Sequence, residues 1–268
     1  MYNTLLELLF IAFLYVYTTE AKSCTGWANY TLTRRGDWTD ARHPNSPPAS
    51  VRGFSETVGC SHNARYVMWA PGIKATTGVK NVAEAGNVTA IEAEMDIQIA
   101  LKKAFKRYVG VMMVGGRSND TIPNIEVNSE YPFVSFISMI APSPDWFVGV
   151  RDLNLCNTAT GEWRDREVRE LFPYDAGTDS GVNFTSPDEV TNPPINIHRI
   201  TNDTEGSLKG DKPVLSFGTF TFVKTSESVE VTSAPPLTPT QTANPGTNFN
   251  KKTLVLMLCI WNIIGYLL

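Results

Sequence analysis

Three aspartates, Asp145, Asp175 and Asp179, lie on turns in the stretch from residue 141 to residue 187. They stand in the segments PSPDWF, PYDAG and GTDSG, whose proline, glycine and aromatic residues stiffen loops. No histidine and no spare cysteine lies close to them in the sequence. Carboxylate oxygens without imidazole or thiolate suit a calcium-type cation better than zinc or copper. The sequence therefore predicts a binding module that is stabilised by calcium.

Two other interpretations of these aspartates stay open. They can be solvated turn residues, because Asp-Gly turns are common. Two of them can instead act as general acid and base on a glycoside, which requires carboxyl groups roughly 5 to 9.5 Å apart across a cleft. Calcium is favoured over a hydrolase because a cation neutralises several like charges more readily than raised carboxyl pKa values do.

The elements that position these loops are mostly short β-strands. Trp27 to Trp38 alternates strand-forming residues and predicts the first strand. One helix is predicted over Asn81 to Phe105, where apolar residues recur at spacings of three and four. Further strands are predicted at residues 108–114, 133–141, 147–150, 182–184, 195–200 and 214–223. This pattern predicts a mainly β protein, an antiparallel β-sandwich with one helical excursion.

Composition places the chain among ordinary globular proteins. Its 268 residues are 42% hydrophobic and 19% charged, which is enough for one domain with a core. The net charge is -4, and no run of basic residues is longer than two. We therefore expect no binding to nucleic acid.

Both ends of the chain have the pattern of processing signals. Residues 1–21 predict a signal peptide, because an apolar run is followed by small residues at Thr19 and Ala21. Residues 225–250 are rich in Ser, Thr and Pro and predict a stalk. Residues 251–268 form a hydrophobic tail, which predicts a GPI-anchor signal or a short membrane anchor. Residues 22–224 remain as the folded domain.

Glycosylation sequons and cysteines both indicate an oxidising compartment. Removal of the tail takes Cys259 with it and leaves Cys24, Cys60 and Cys156, so one of these three is unpaired. Each of five asparagines begins an N-x-S/T sequence without an intervening proline, and all five are predicted glycosylation sites: Asn29, Asn87, Asn119, Asn183 and Asn202.

Four long segments carry a family resemblance. They are FSETVGCSHNARYVMW, GVKNVAEAGN, VSFISMIAPSPDWFVGVRDLNLC and LFPYDAGTDSGVNFTSPDEVTNP. The chain resembles the spondin domain, as found in F-spondin and mindin, from about Cys24 to Lys224. It departs from those proteins in having no thrombospondin repeat after the domain, because the required cysteines and tryptophans are absent.

The resemblance implies an extracellular β-sandwich whose loops bind Ca²⁺ through carboxylates. Its implied metal ligands are Glu126, Asp145, Asp175 and Asp179, and its implied disulfide joins Cys24 and Cys156. Such a disulfide closes a loop of over a hundred residues. In the chain-entropy model it stabilises the fold by roughly 4 to 5 kcal/mol. It is expected to hold the start of the domain beside the acidic loops.

Together these observations predict a calcium-binding protein of cell adhesion or recognition. We expect it to be secreted and to reach the extracellular matrix or the outer face of the plasma membrane. The expected partner is an integrin-like cell-surface receptor, or a matrix or glycan ligand. An alternative is a secreted pattern-recognition protein that binds microbial glycans. A glycoside hydrolase is the minor alternative, so the chain is not expected to be an enzyme, and no catalytic residue is assigned.

Overall fold

The computed structural model describes residues 21–45, 47, 48 and 52–228. The predicted signal peptide before residue 21 and the predicted stalk and tail beyond residue 228 lie outside the described residues. Within the part of the chain that is described, no helix is both long enough and apolar enough to cross a membrane.

The described residues form short strands and two helices. The helices are α1 (Thr77–Ala85) and α2 (Thr89–Ala100). The strands are β1 (Trp27–Gly36), β2 (Gly53–Phe54), β3 (Val58–His62), β4 (Ala104–Val109), β5 (Met113–Val114), β6 (Asn119–Asn128), β7 (Phe133–Ala141), β8 (Trp146–Asn154), β9 (Cys156–Asn157), β10 (Glu162–Trp163), β11 (Arg166–Glu170), β12 (Tyr174–Asp175), β13 (His198–Arg199) and β14 (Gly218–Ser228).

Two antiparallel sheets make up the body of the domain. The smaller has the order β11-β14-β1-β6. The larger has the order β13-β12-β8-β7-β2-β5, with β3 paired to β7 and to β4. Strands β9 and β10 form a separate hairpin. This arrangement confirms the predicted mainly β, antiparallel sandwich.

A first apolar core lies between the two sheets. Alternate residues of β1, including Tyr30 and Leu32, are buried there. Phe220 and Phe222 of β14 are buried in the same core, with their rings 6.3 and 6.0 Å from the ring of Phe136 on β7. Burial of each such side chain contributes about 1.5 to 3 kcal/mol by transfer scales, so these rings hold the sheets together.

A second apolar core lies between the larger sheet and the helices. It contains Val82 of α1, Met95 of α2, Ile137 of β7 and Phe147 of β8. Alternate side chains of a strand point to opposite faces of its sheet. Strand β7 therefore serves both cores, which explains why all its residues except the two at its ends are buried.

The prediction of a single helix from Asn81 to Phe105 is wrong. Gly86 ends α1 in the left-handed conformation (φ 65°), and its N–H caps the carbonyls of the last turn. Helix α2 ends at Ala100, and β4 begins at Ala104. The predicted apolar stripe is also only partly buried, because Ile97 is 58% exposed.

Several strands differ from the pattern-based prediction. The predicted strand 108–114 is divided between β4 and β5, only β13 forms within 195–200, and β14 begins at Gly218 rather than at residue 214. Residues 182–184 form no strand. Strand β6, which was not predicted, is mainly polar and contains Pro123, so its sequence lacks the usual strand signal. Strand β14 runs to Ser228, four residues into the predicted stalk, and there pairs with Trp27 of β1.

The disulfide predicted from the resemblance is present. Cys24 and Cys156 are bonded with an S–S distance of 2.01 Å. The expectation that it lies beside the acidic loops is wrong, because Cys156 follows β8 whereas Asp145 precedes it. Cys60 is a buried free thiol on β3, and burial raises its pKa.

Candidate metal site

Asp145 lies at the end of the loop that joins β7 to β8. The loop is closed by Ser143, whose Oγ accepts the N–H of Trp146 at 3.1 Å. The carboxylate is completely buried, and its Oδ2 accepts the N–H groups of Thr178 at 2.7 Å and Asp179 at 3.1 Å. The Thr178 hydroxyl donates to the same oxygen at 3.2 Å. These three donors fix the direction of the carboxylate.

The other oxygen of this carboxylate has no partner. Oδ1 of Asp145 is buried and accepts no hydrogen bond from the described residues. Burial, together with the negative charge of Asp175, raises the pKa of Asp145 to about 7. A buried acceptor without a partner is costly, by about 1 to 3 kcal/mol and more for a charged group.

Asp175 is placed next to this loop by strand pairing. In β12 it lies opposite Trp146 of β8 on one side and opposite His198 of β13 on the other. Its Oδ1 accepts the N–H of Gly177 at 2.7 Å. Burial raises the pKa of Asp175, and the nearby His198 opposes that effect.

Asp179 lies on the tight turn that follows β12. Gly177 adopts a positive φ of 75° there, and a Cβ at this position would lie 2.5 Å from the carbonyl oxygen of Ile195, so glycine is required. Oδ1 of Asp179 accepts the N–H of Gly181 at 2.7 Å, and Oδ2 accepts the N–H of Glu189 at 2.8 Å. Backbone amides thus fix both oxygens of this carboxylate.

The loops that carry these three aspartates lie side by side, whereas Glu126 lies elsewhere. The N–H of Asp179 bonds to Asp145, and the N–H of Ala176, next to Asp175, donates to the Asp145 carbonyl at 3.1 Å. Glu126 lies on β6 in the smaller sheet, opposite Asn29 of β1. Among the residues that the structure describes, no group of three or more acidic, histidine or cysteine side chains stands ready to hold a metal ion.

Comparisons with known proteins agree with this architecture. The family model described as Spondin_N matches residues 28–209. The chain belongs to the spondin family. It is 34% identical to Spondin-1 of Gallus gallus over 189 residues, which are 69% of this chain and 23% of the relative. It is 33% identical to Spondin-2 of Homo sapiens over 187 residues, which are 68% of this chain and 55% of the relative.

The match covers only part of these relatives. The chain spans about a quarter of the length of Spondin-1 and about half of the length of Spondin-2.

Disulfides persist in oxidising compartments, and this spondin domain contains one between Cys24 and Cys156. Family and disulfide together indicate an extracellular spondin-domain protein.

His198 is a neighbour of the acidic loops that sequence reasoning missed. Its Nδ1 lies 3.8 Å from Oδ1 of Asp175. The two residues are far apart in the sequence, and only the pairing of β12 with β13 joins them. No local motif marks that pairing, so the sequence alone gave no signal for it.

The five predicted glycosylation sites of the spondin domain differ in exposure. Asn87, Asn119 and Asn183 are exposed. Asn29 and Asn202 are half-buried, and their Nδ2 groups donate to Ser226 Oγ at 3.4 Å and to the Gly210 carbonyl at 3.1 Å. We therefore expect the exposed three to be modified more readily.

Proposed function

We propose that this spondin-family protein acts outside the cell in adhesion or recognition, and that Asp145, Asp175 and Asp179 bind a calcium ion that fixes its contact surface. One observation carries the proposal: Oδ1 of Asp145 is buried without a partner, in a carboxylate whose other oxygen has three donors. A cation beside Oδ1 supplies the missing partner.

The donor set suits calcium rather than a transition metal. Calcium takes six to eight oxygen ligands in flexible geometry, and carboxylates, carbonyls and water all serve. An ionised carboxylate has about four lone-pair positions, so Asp175 and Asp179 can bind a cation while each still accepts the backbone amides described above. Loop carbonyls and water complete the shell.

Exposed apolar side chains border the proposed ion. Val190, which pairs with Asp179, is 73% exposed, and Ile195, whose N–H donates to the Gly177 carbonyl at 2.9 Å, is 52% exposed. An ion that orders these loops also orders this apolar rim. We propose that the rim contacts the partner, which is an integrin-like receptor or a matrix ligand.

The buried position of Asp145 counts against a glycoside hydrolase. A general acid must lie within hydrogen-bond reach of the substrate oxygen that it protonates. Asp145 has no exposed surface, so its carboxyl cannot contact a sugar in this conformation. A cation explains the same carboxylate without a substrate.

Thermal unfolding with and without calcium tests the proposed ion. Extracellular calcium modules bind with dissociation constants of about 10⁻⁴ to 10⁻³ M, so 1 mM calcium stabilises by about 0.4 to 1.4 kcal/mol. For a domain of this size we expect the melting temperature to rise by about 1 to 5 °C. Asp145→Asn removes the rise, whereas the exposed control Asp96→Asn on α2 retains it. A calcium-independent melting curve in the wild-type protein contradicts the proposal.

Adhesion of cells to the immobilised protein tests the proposed role. Removal of calcium with a chelator gives an ambiguous result, because the receptor on the cells can itself require divalent cations. Adhesion to wild type, Asp145→Asn and Asp96→Asn is therefore compared in buffers that all contain calcium. We expect cells to adhere to the wild type and to Asp96→Asn but not to Asp145→Asn. Equal adhesion of cells to all three proteins would contradict the proposal that the calcium ion fixes the surface that contacts the partner.

A further inference from the structure

Four basic residues of this acidic protein lie close together in the fold, around the turn between α2 and β4, and all are exposed or half-exposed. Arg65 follows β3, Lys102 and Lys103 lie in the turn between α2 and β4, and Lys106 is on β4. We call these four residues the basic surface. None of them has an acidic oxygen within 4 Å among the residues that the structure describes. Their charges are therefore free to bind a ligand.

The backbone under the basic surface is fixed in place. The carbonyl of Lys102 accepts Asn63 Nδ2 at 3.0 Å, Arg65 Nη2 at 2.9 Å and Tyr131 Oη at 3.4 Å. Lys102 itself has a positive φ of 54°. The N–H of Asn63 donates to the Lys103 carbonyl at 3.0 Å. These contacts fix the backbone that carries the lysines and the guanidinium of Arg65.

Nearby acidic residues do not cancel this charge. Glu92 and Asp96 on α2 both bind Arg107, with Asp96 Oδ1 at 2.8 Å from Arg107 Nε. Glu130, next to Tyr131, is one further acidic neighbour. Asp152, near His62, is paired with Arg151, whereas Glu126 lies near Tyr108 on the strand that carries Lys106. Four cations against two carboxylates that are unpaired in the described part of the chain, Glu126 and Glu130, leave a local positive surplus on a chain whose net charge is -4.

The basic surface and the acidic loops lie at opposite ends of β7. His62, next to Asn63, pairs with Phe133 at the start of the strand. Asp145 follows the end of the same strand, which has nine residues. At about 3.3 Å per residue the strand is about 26 Å long. The Debye length at physiological salt is about 8 Å, so the carboxylates do not neutralise the basic surface.

We propose that the basic surface binds a sulfated polysaccharide chain of the glycosaminoglycan type. Lys103 and Lys106 are three residues apart, so their Cα atoms lie within about 10 Å. Because the strand register shifts by one residue at Phe105, between them, the two lysines are not forced onto opposite faces and can contact successive charges of one linear polyanion. Lysine binds such anions as a point charge. A single polysaccharide chain touches the basic surface alone. An anionic membrane would also face the rest of this acidic protein and be repelled by it.

Binding to immobilised heparin by the full-length protein tests this inference. The variant Lys102→Gln/Lys103→Gln/Lys106→Gln removes three charges and keeps side chains of similar length. The control Lys22→Gln/Lys209→Gln/Lys212→Gln removes three exposed charges elsewhere, so both variants have the same net charge. Because exposed charge pairs contribute little singly, we expect the three together to lower affinity by about tenfold or more in the first variant only. Wild-type binding falls as salt is raised.

Two further arms make the result decisive. The Lys102→Arg/Lys103→Arg/Lys106→Arg protein keeps the charges and is expected to bind like wild type, and a melting curve shows that each variant is folded. Vesicles that contain phosphatidylserine probe the membrane alternative. The proposal is overturned if wild type does not bind heparin at physiological salt, if both glutamine variants lose affinity equally, or if the basic surface retains vesicles but not heparin.

Discussion

Arg34 and Asp145 are both buried, and each leaves one polar atom without a hydrogen-bond partner among the described residues. Arg34 lies in the core, where Nη1 donates to the Ser55 carbonyl at 3.2 Å and to Ser138 Oγ at 2.6 Å. Its guanidinium also lies 5.1 Å from the ring centroid of Phe54. Burial lowers its pKa only to about 10, so it stays charged at neutral pH. Asp145 is likewise half satisfied, since Oδ2 has three donors and Oδ1 has none among the described residues. It differs from Arg34 in lying near a second carboxylate, Asp175, which raises its pKa, and a cation beside the two carboxylates would offset that repulsion.

His43 gives a pH dependence that can be measured. It is buried against Phe217, with ring centroids 4.0 Å apart, and burial lowers its pKa from 6.5 to about 4. Between these pH values the unfolded chain binds a proton that the native state does not. Protonation of His43 therefore does not affect stability above pH 6.5. As the pH falls from 6.5 towards 4, it favours the unfolded chain, and the free energy of unfolding decreases. The loss is about 3 kcal/mol in total.

Urea unfolding at several pH values checks this prediction. His43→Gln removes the proton uptake, so its free energy of unfolding should decline less steeply than that of wild type between pH 6.5 and 4. The difference between the two proteins is the readout, because the titration of every other group cancels. Parallel pH curves would show that His43 is readily protonated in the native state.

At the scale of elements, β7 and β8 organise the domain. β7 serves both cores, and the turn between the two strands holds Asp145. The pairing of Trp146 with Asp175 then sets the second acidic loop beside the first. A rigid pair of strands therefore positions loops that otherwise lack regular structure, as is common for binding sites.

Substitution of Gly86 measures how much the left-handed turn between α1 and α2 depends on glycine. Gly86→Ala adds a Cβ 2.8 Å from the Cβ of Ser55 at a positive φ of 65°. We expect it to destabilise by about 2 to 4 kcal/mol, from backbone strain and overpacking together. The matched control Gly72→Ala has φ 89° and no atom within 4 Å of the new Cβ. It should cost about 1 to 2 kcal/mol from strain alone. Equal losses in chemical denaturation would rule out the packing contribution.

At the scale of the whole molecule, the disulfide ties the start of the domain to a distant segment. Cys24 and Cys156 are separated by 132 residues in the sequence. In the chain-entropy model, a loop of this length corresponds to about 5 kcal/mol. The double variant Cys24→Ala/Cys156→Ala should lose that amount in urea unfolding. Cys60→Ala, which breaks no disulfide, is the control. A double variant as stable as the control would contradict the entropic estimate.

Parts of the fold could be predicted because their signals are local. Strand β1 alternates strongly, and the turns around Asp175 and Asp179 carry glycine at fixed offsets. The partnership of His198 with Asp175 depends on pairing between distant strands, and Pro123 hides β6, so neither has a local signal. Glu126 was assigned by resemblance alone, and its strand lies in the other sheet.

At the scale of the whole molecule, the acidic loops lie at one end of β7 and the basic surface lies at the other. Strand β7 runs between them and contributes to both apolar cores. If the proposed calcium ion and the proposed polysaccharide both bind, their sites are far enough apart to be occupied at the same time.

Terbium luminescence tests the proposed calcium site most directly. Tb³⁺ replaces calcium in oxygen sites, and the buried Trp146 directly follows Asp145, so excitation of tryptophan should produce terbium emission. The account predicts emission from wild type and from Asp96→Asn, its displacement by excess calcium, and its absence in Asp145→Asn. Emission that persists in Asp145→Asn, or that calcium does not displace, would contradict a calcium ion held by these three aspartates.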